Sequence, residues 1–479
     1  MIEYIEKMLN LFRPCFSRES AFRWFVIIVA GLMIRSDQLG TTSIIRDLAL
    51  NPGLYETMNH FFRASSWSLP SIRLKWFEAV AAFAPLHRIG DYAILIGDGM
   101  KQAKEGRHMP GVKRLHQESE NSSKPDYIFG HMFGGIGVLA GSIAKWFCIP
   151  LNINLQDGLQ VMDSWGKETA QQPRTHVIQI IENGYEAAKT FGKSLLLLDR
   201  YFLSVPALER LAELNGCGDA LLHLVTKAKK SCTAFEHPPE RLPGQRGAPR
   251  KKGESVKMKE LFSTKSDEFL EATLTLYGKQ EHVRYYCTNL LWGKKLYLEL
   301  RFVLVEYNNT QSILASTNLS LDPITIVRLY SYRFQIECTF RELKQVVGGF
   351  RYQFWSKSMP RLKRYLKKGE AHPIEFVANP KERERIRQTV KAIEGHVMFS
   401  CIAMGLLQMV SLSFSNVVQS GKFRFLRTPS KATVSEATVA CYLKRNIFRF
   451  IAKKPDLNIT RFIHEKQEMP DNSTDLWAT

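Results

Sequence analysis

The chain has 479 residues, of which 45% are hydrophobic and 11% aromatic, and Lys plus Arg outnumber Asp plus Glu by 66 to 46, giving a formal net charge of +20. This composition excludes a disordered basic tail, and the length excludes a single hydrophobic core. The excess of positive charge predicts a polyanionic partner, with nucleic acid as the first candidate and an anionic membrane surface as the second.

The apolar segments argue against the membrane. The longest apolar run, residues 24–34, covers 11 positions, whereas spanning a bilayer takes about 20. It therefore predicts a buried helix. The N-terminus lacks a charged start followed by a cleavage site, and the eight cysteines form no Cys-x2-Cys pair. We therefore expect a cytoplasmic protein with reduced thiols and no structural zinc.

Residues 1–88 have the pattern of helices interrupted at residues 35–40, 51–53 and 65–70, and we predict that they form an N-terminal DNA-binding domain. Residues 41–48 open with N-cap residues and carry their apolar groups on one face, as the second helix of a helix-turn-helix does. An ordinary helical domain with no contact to a DNA groove fits the same pattern.

Residues 89–232 predict a mixed α/β core. A buried strand at residues 93–97 leads to Asp98, and a second buried strand at residues 194–198 leads to Asp199. Between and after them lie strand-like runs at 127–140, 143–155 and 220–230, a helix at 174–191 and another from Ser204 to Gly216. Isolated charges are costly at the ends of buried strands, so each aspartate is a candidate ligand, catalytic group or helix cap.

The remaining chain divides into an insertion, the end of the core and a C-terminal region. Residues 233–319 hold a basic loop, to about residue 258, and then alternating β-prone segments that predict an antiparallel β insertion. The core resumes over residues 320–356. Residues 357–479 predict a helical region for DNA binding or dimerisation, with a long helix at about 381–412, a basic helix at 436–451 and a frayed end from residue 459.

A helix predicted over residues 330–347 carries two stripes. The apolar stripe contains Leu329, Ile336, Phe340, Leu343 and Val347. The polar stripe contains Tyr330, Arg333, Glu337, Arg341 and Lys344. A solvated face held by ion pairs accounts for such a stripe, and so does a metal-binding carboxylate flanked by groups that hold a polyanion. The second interpretation requires further metal ligands elsewhere in the chain.

Asp98, Asp199 and Glu337 together form an all-oxygen set of candidate ligands. Such a set suits Mg²⁺ or Mn²⁺, which prefer hard oxygen donors. Two such ions, held about 3.5–4 Å apart, can activate a water or a 3′-hydroxyl and neutralise the leaving oxygen of a phosphodiester. The set therefore predicts two-metal phosphoryl transfer.

These residues resemble the DDE transposases of bacterial insertion sequences, in the branch with a Tyr-Arg-Glu-Lys signature. Tyr330, Arg333, Glu337 and Lys344 match the signature, Asp98 and Asp199 match the two aspartate motifs, and a β-rich insertion precedes the glutamate. The resemblance implies a ribonuclease-H-like core, metal ligation by the three carboxylates, and DNA contacts from Tyr330, Arg333 and Lys344. We add Arg341, Arg200 and Lys101 as predicted DNA contacts.

The reaction that the resemblance implies is nicking at each element end, followed by attack of the freed 3′-hydroxyl on target DNA. It also implies a homodimer that holds two ends of double-stranded DNA at the bacterial nucleoid. Met100 stands where the family often has threonine, and Trp292 suits either a core position or a stack on a flipped base. A catalytically inert DNA-binding protein and a ribonuclease-H-like nuclease without strand transfer are the alternatives.

Overall fold

The N-terminal part of the chain is helical. We describe a computed structural model, which covers residues 1–35, 37, 40–117, 125–165, 174–240, 248–363, 370–419 and 432–467. The first helices are α1 (Ile2–Asn10), α2 (Glu19–Ile34), α3 (Thr42–Asp47), α4 (Tyr55–Arg63) and α5 (Leu69–Phe83). Residues 24–34 are buried throughout, which confirms the prediction of a buried helix. The candidate second helix of a helix-turn-helix is α3, a helix of six residues.

The core follows as a mixed sheet with helices. Its elements are β1 (Arg88–Ile89), β2 (Tyr92–Ala103), β3 (Lys113–His116), β4 (Tyr127–Ser142), β5 (Lys145–Leu155), α6 (Gln160–Ser164), α7 (His176–Phe191), β6 (Ser194–Leu197), α8 (Val205–Asn215) and β7 (Leu222–Ala228). The five main strands lie in the order β5-β4-β2-β6-β7. Strands β2, β6 and β7 are mutually parallel and β4 is antiparallel to its neighbours. This is the predicted ribonuclease-H-like core.

The β insertion extends the same sheet. Its elements are β8 (Thr233–Phe235), β9 (Ser255–Lys257), α9 (Leu261–Thr264), β10 (Leu270–Leu276), β11 (Lys279–Trp292), β12 (Leu298–Tyr307) and β13 (Thr310–Ser316). Strand β13 pairs antiparallel with β7, with Ser316 opposite Val225. The prediction of antiparallel strands is confirmed, and the insertion is continuous with the core. Strands β8 and β9 pair across the predicted basic loop, of which residues 241–247 lie outside the described part of the chain.

The single helix predicted over residues 330–347 is wrong, because the structure divides it. Helix α10 (Pro323–Tyr332) is followed by α11 (Gln335–Glu342) and a π-helical turn (Leu343–Val347). Between α10 and α11 the N–H of Arg333 bonds to the carbonyl of Tyr330 at 3.2 Å, a spacing of three residues instead of four. The backbone nearly keeps helical angles through these changes, so side-chain periodicity alone does not reveal them. All five residues of the predicted apolar stripe are buried, and Gly348 ends the helix in the left-handed conformation.

The C-terminal helices pack among the N-terminal ones. They are α12 (Pro380–Gln419), α13 (Glu436–Lys453) and α14 (Asn458–His464). Helix α12 contacts α2, α4, α5, α13 and strand β5. Within the described residues it is the one helix long and apolar enough to cross a membrane, and 83% of its most apolar stretch is buried inside the protein. Burial of that kind is what the core helix of a folded domain shows.

Two contacts connect distant parts of the chain through this helical layer. The buried Arg35 at the end of α2 donates hydrogen bonds to the carbonyls of Val347 and Gly348, at 2.7 and 2.5 Å. The frayed end predicted from residue 459 is wrong for its first part, because α14 packs on α2 and buries Ile459 and Phe462. Contacts between residues so far apart in sequence leave no local signal. The division into separate N- and C-terminal functional regions stays a prediction.

Candidate active site

Asp98 and Asp199 occupy equivalent positions on neighbouring parallel strands. Ile96 of β2 is paired with Leu197 of β6, and each aspartate lies two residues beyond this pair. The prediction that a strand ends before Asp98 is wrong, because β2 continues to Ala103 and Asp98 is paired with Gly135 of β4, whereas Asp199 does follow the end of β6. The Asp98 carboxylate accepts a hydrogen bond from the N–H of Gly99 at 2.7 Å, and the Asp199 carboxylate accepts one from the N–H of Arg200 at 2.6 Å.

Glu337 is positioned by the way α11 lies on the sheet. Phe340, one turn further along α11, is buried over Gly135 of β4, which is paired with Asp98. A Cβ atom at Gly135 would lie 2.9 Å from the Phe340 ring, so only glycine allows this approach. Thr339 donates a hydrogen bond of 2.6 Å to the carbonyl of Cys148 in β5. The ring contact and this hydrogen bond hold Glu337 on the face of β2 that carries Asp98.

Arg333 connects two of the three carboxylates. Its Nη1 lies 3.0 Å from Oδ2 of Asp98, and its Nη2 forms an ion pair with Glu337. The side chain of Arg333 is 16% exposed and that of Asp98 20%, whereas that of Glu337 is 45% exposed. Burial alone lowers the pKa of Arg333, but Asp98 and Glu337 outweigh it and raise that pKa. The guanidinium supplies the positive charge between these carboxylates.

Asp98 remains under electrostatic strain despite this partner. Burial raises its pKa to about 6, Arg333 opposes the rise, and Asp199 and Glu337 add to it. Asp98 is therefore close enough to Asp199 and to Glu337 to be repelled by both. Among the described residues, however, no group of three or more His, Cys, Asp or Glu side chains is arranged as a set of metal ligands. The carboxylate oxygens of these three residues are of the type that Mg²⁺ and Mn²⁺ prefer. Their combined negative charge exceeds the single positive charge of Arg333, which lies between Asp98 and Glu337.

The raised pKa of Asp98 predicts a gain in stability when its charge is removed. A carboxyl with a pKa of about 6 when folded, against an ordinary value of 3.8, destabilises the fold above pH 6 and not below pH 3.8. In metal-free buffer we therefore expect Asp98→Asn to raise the free energy of unfolding at pH 8 by about 1–3 kcal/mol. The gain should disappear at pH 4. Thermal unfolding of the wild type and of Asp98→Asn at pH 8 and pH 4 measures the gain. A variant less stable than the wild type at pH 8 would contradict the prediction.

Of the predicted DNA contacts, the structure relates Tyr330 and Arg200 to the aspartates, Arg333 having been described above, and it gives the exposure and other contacts of the rest. Tyr330 is half-buried, and burial raises its pKa, with smaller effects from Arg333, Asp199 and Asp98. Arg200 is exposed beside Asp199. Arg341 is exposed and paired with Glu342 at 2.9 Å. Lys344 is half-buried in the π-helical turn, and Lys101 donates to the carbonyl of His116 at 2.5 Å.

Two further residues on the elements around the site have shifted pKa values and no signal in the sequence. Lys227 ends β7 half-buried, and its pKa is lowered by burial and by Arg200, with Asp199 opposing. His176 begins α7 beneath Gly99, and burial lowers its pKa to about 4, so it is neutral at pH 7. The pairing of β7 with β6 brings Lys227 near Asp199, which a lone lysine in a sequence does not reveal. His176 lies under Gly99, on the face of β2 opposite to Asp98. Trp292 is half-buried at the end of β11.

Comparison with known families gives a match over the part of the chain that contains the two aspartates. A family model described as DDE superfamily endonuclease matches residues 11–281, which is 271 of the 479 residues. The chain belongs to this family. The match includes Asp98 and Asp199 and ends before α10 and α11. No curated protein and no solved structure matches the chain. DDE endonucleases act on DNA and use divalent metal ions.

Proposed function

We propose that the chain is the DNA transposase of an insertion sequence, which cuts the element ends and joins the 3′-hydroxyls to target DNA. The observation that supports this proposal is that Asp98 interacts electrostatically with both Asp199 and Glu337, and shares Arg333 with Glu337, on the ribonuclease-H-like sheet of a DDE endonuclease. The full match of Tyr330, Arg333, Glu337 and Lys344 to the signature of one transposase branch supports the more specific assignment.

The carboxylates would hold Mg²⁺ or Mn²⁺, two ions in all, which when bound activate a water or a 3′-hydroxyl and neutralise the leaving oxygen. Asp98 and Asp199 are fixed by paired strands, and Glu337 by the contact of Phe340 with Gly135. The chain thus supplies ligands whose positions are set before DNA binds. Pre-set positions matter because small displacements of reacting groups are costly in rate.

Arg333 would have two partners in turn. Without DNA its guanidinium neutralises Asp98 and Glu337. A phosphate at the DNA end presents the same paired oxygens to a guanidinium, so Arg333 can transfer to it. Its transfer would free both carboxylates at the moment when the substrate arrives. Tyr330, Lys344, Arg341, Arg200 and Lys101 are the proposed additional contacts to the same DNA, and Lys227 extends this set beside Asp199.

The partner is double-stranded DNA carrying the terminal repeats, and the proposed assembly is a homodimer, because two ends must be joined together. A nuclease without strand transfer is the second candidate, since the matched family is defined as one of endonucleases. An inert DNA-binding descendant is less well supported, because all three carboxylates are present. We place the protein in the cytoplasm at the bacterial nucleoid.

The test is cleavage of linear DNA carrying the segments that flank the gene, in Mg²⁺, by the wild type and by Glu337→Gln. We expect cuts at two fixed, inverted sites that disappear in the variant, and joined products when a target plasmid is added. Cuts without joining would assign the nuclease. Binding without cuts, in Mn²⁺ as well, would assign the inert protein. Cuts that persist in Glu337→Gln would remove Glu337 from the site.

A further inference from the structure

A cleft of about 320 Å³ lies among the helices, at a place that the catalytic carboxylates do not reach. Its walls come from the start of α2, the end of α4, the segment that follows α4, and one turn of α12. Ligand pockets typically measure roughly 300–1,000 Å³. The cleft is at the small end of this range, so it suits one polar group and its surroundings rather than a large molecule.

The groups that line the cleft are cationic or neutral. Arg18, His60 and Arg63 supply the basic side chains and Ser65 a hydroxyl, while the Gln388 amide donates a hydrogen bond of 3.3 Å to Glu384. No carboxylate is among the lining residues. Within the described part of the chain, neither arginine forms an ion pair with a carboxylate. The chemistry of the cleft is therefore that of an anion site with several hydrogen-bond donors.

Arg63 is the clearest sign of an absent partner. Its guanidinium is half-buried over the ring of Phe354, at 5.7 Å from the ring centroid. It donates one long hydrogen bond, 3.4 Å, to the carbonyl of Trp355. Glu56, on the same helix, interacts with it without forming an ion pair, and burial lowers the pKa of Arg63. A guanidinium offers five N–H donors and Arg63 uses one of them within the described residues, so the others are available to a ligand in the cleft.

The walls of the cleft are held in place before any ligand binds. Lys391 of α12 donates hydrogen bonds to the carbonyls of Ala64 and Trp67, at 2.5 and 2.6 Å. The N–H of Ser17 bonds to the carbonyl of Ser66 at 3.0 Å, and the Trp67 indole donates to the carbonyl of Phe61 at 2.9 Å. The segment that carries Ser65 is thus fixed to α2, α4 and α12. A preformed site loses little entropy on binding.

We propose that this cleft binds a phosphate group, held by Arg18 and Arg63. Phosphate matches the planar guanidinium fork, and the Ser65 hydroxyl can donate to one of its remaining oxygens. Two sources share this chemistry: the backbone of DNA and free phosphate. The net charge of +20 and membership in a family that acts on DNA favour the backbone. In taking DNA as the partner, the inference rests on the proposed function.

The experiment uses the full chain, the duplex from the cleavage assay, and the double variant Arg18→Ala/Arg63→Gln. Binding is measured by fluorescence anisotropy between 50 and 200 mM salt. Lys189→Gln is the matched control, because it removes an exposed charge from α7, outside the cleft. Stabilisation by inorganic phosphate is measured by thermal unfolding. Arg18→Ala alone, which changes an exposed residue, serves if the double variant does not fold.

We expect the double variant to bind the duplex about tenfold more weakly than Lys189→Gln, with a salt slope smaller by about one. Unchanged DNA binding, with loss of the stabilisation by phosphate, would identify free phosphate as the ligand. No change in either measurement would overturn the proposal. If the wild type never cuts DNA and the double variant still binds the duplex more weakly, the phosphate site in the cleft is supported and the proposed transposase activity is rejected. If the double variant cuts and binds DNA as the wild type does, and phosphate stabilises both equally, the transposase activity is supported and the phosphate site in the cleft is rejected.

Discussion

Replacing Arg333 by alanine is expected to strengthen the binding of Mn²⁺ to the DNA-free protein by about tenfold, or ~1.4 kcal/mol. The same substitution should lower the rate of DNA cleavage by a factor at least as large. The guanidinium neutralises Asp98 and Glu337, so a cation must compete with it for these carboxylates. Loss of the Arg333 guanidinium would free Asp98 and Glu337, the proposed metal ligands, and would also remove the proposed contact to the DNA end. Titration calorimetry with Mn²⁺ measures the first effect, and the cleavage assay measures the second.

The matched control for this experiment is Arg328→Ala, which removes an exposed arginine one turn earlier, on α10. It should change the Mn²⁺ affinity little. If Arg333→Ala left that affinity equal to that of the control, or reduced it, Arg333 would not compete with the metal. A further arm adds uncleavable DNA to the wild type. DNA should then increase the Mn²⁺ affinity of the wild type more than that of Arg333→Ala, since only the wild type has a guanidinium to displace.

Replacing Gly135 by valine should reduce cleavage by about 10², because the valine side chain would displace Phe340 and with it Glu337. Overpacking of this kind also costs about 1–3 kcal/mol of stability. Cleavage assays and thermal unfolding of the same preparations separate the two effects. A second substitution provides the control, because Phe340→Ala removes the ring that the valine would meet.

The double variant Gly135→Val/Phe340→Ala should recover part of the cleavage lost in Gly135→Val, since α11 can return towards the sheet. Phe340→Ala alone creates a cavity and shows what the loss of the ring costs by itself. Full activity in Gly135→Val, or no recovery in the double variant, would show that the contact between Phe340 and Gly135 does not position Glu337.

The parts of the site that the sequence predicts are those set by local pattern. Continuous apolar runs identify β2 and β6, and parallel pairing of Ile96 with Leu197 then brings Asp98 and Asp199 to equivalent positions. The three- and four-residue steps of the Glu337 stripe likewise predict a helix with one buried face. In each case the chain near the residue contains enough information, because buried strands and amphipathic helices impose their own spacing.

The parts that the sequence does not predict depend on contacts between distant residues. The ion pair of Arg333 with Glu337 agrees with the stripe held by ion pairs that the sequence left open, whereas the contact of Arg333 with Asp98 depends on how the Glu337 helix packs on β2. Gly135 is one of many glycines in its strand, and its role appears only when Phe340 lies above it. The continuation of the core sheet through β13, and the packing of α14 on α2, have the same origin.

The proposed metal site is tested most directly by locating the bound ion on the chain. Fe²⁺ in place of Mg²⁺, with ascorbate and peroxide, cleaves the backbone next to a bound ion, and mass spectrometry of the fragments locates the cuts. We expect cuts near Asp98, Asp199 and Glu337, stronger with DNA or in Arg333→Ala, and absent in Asp98→Asn/Glu337→Gln. Cuts elsewhere, or none with DNA present, would contradict a metal-dependent site built from these three carboxylates.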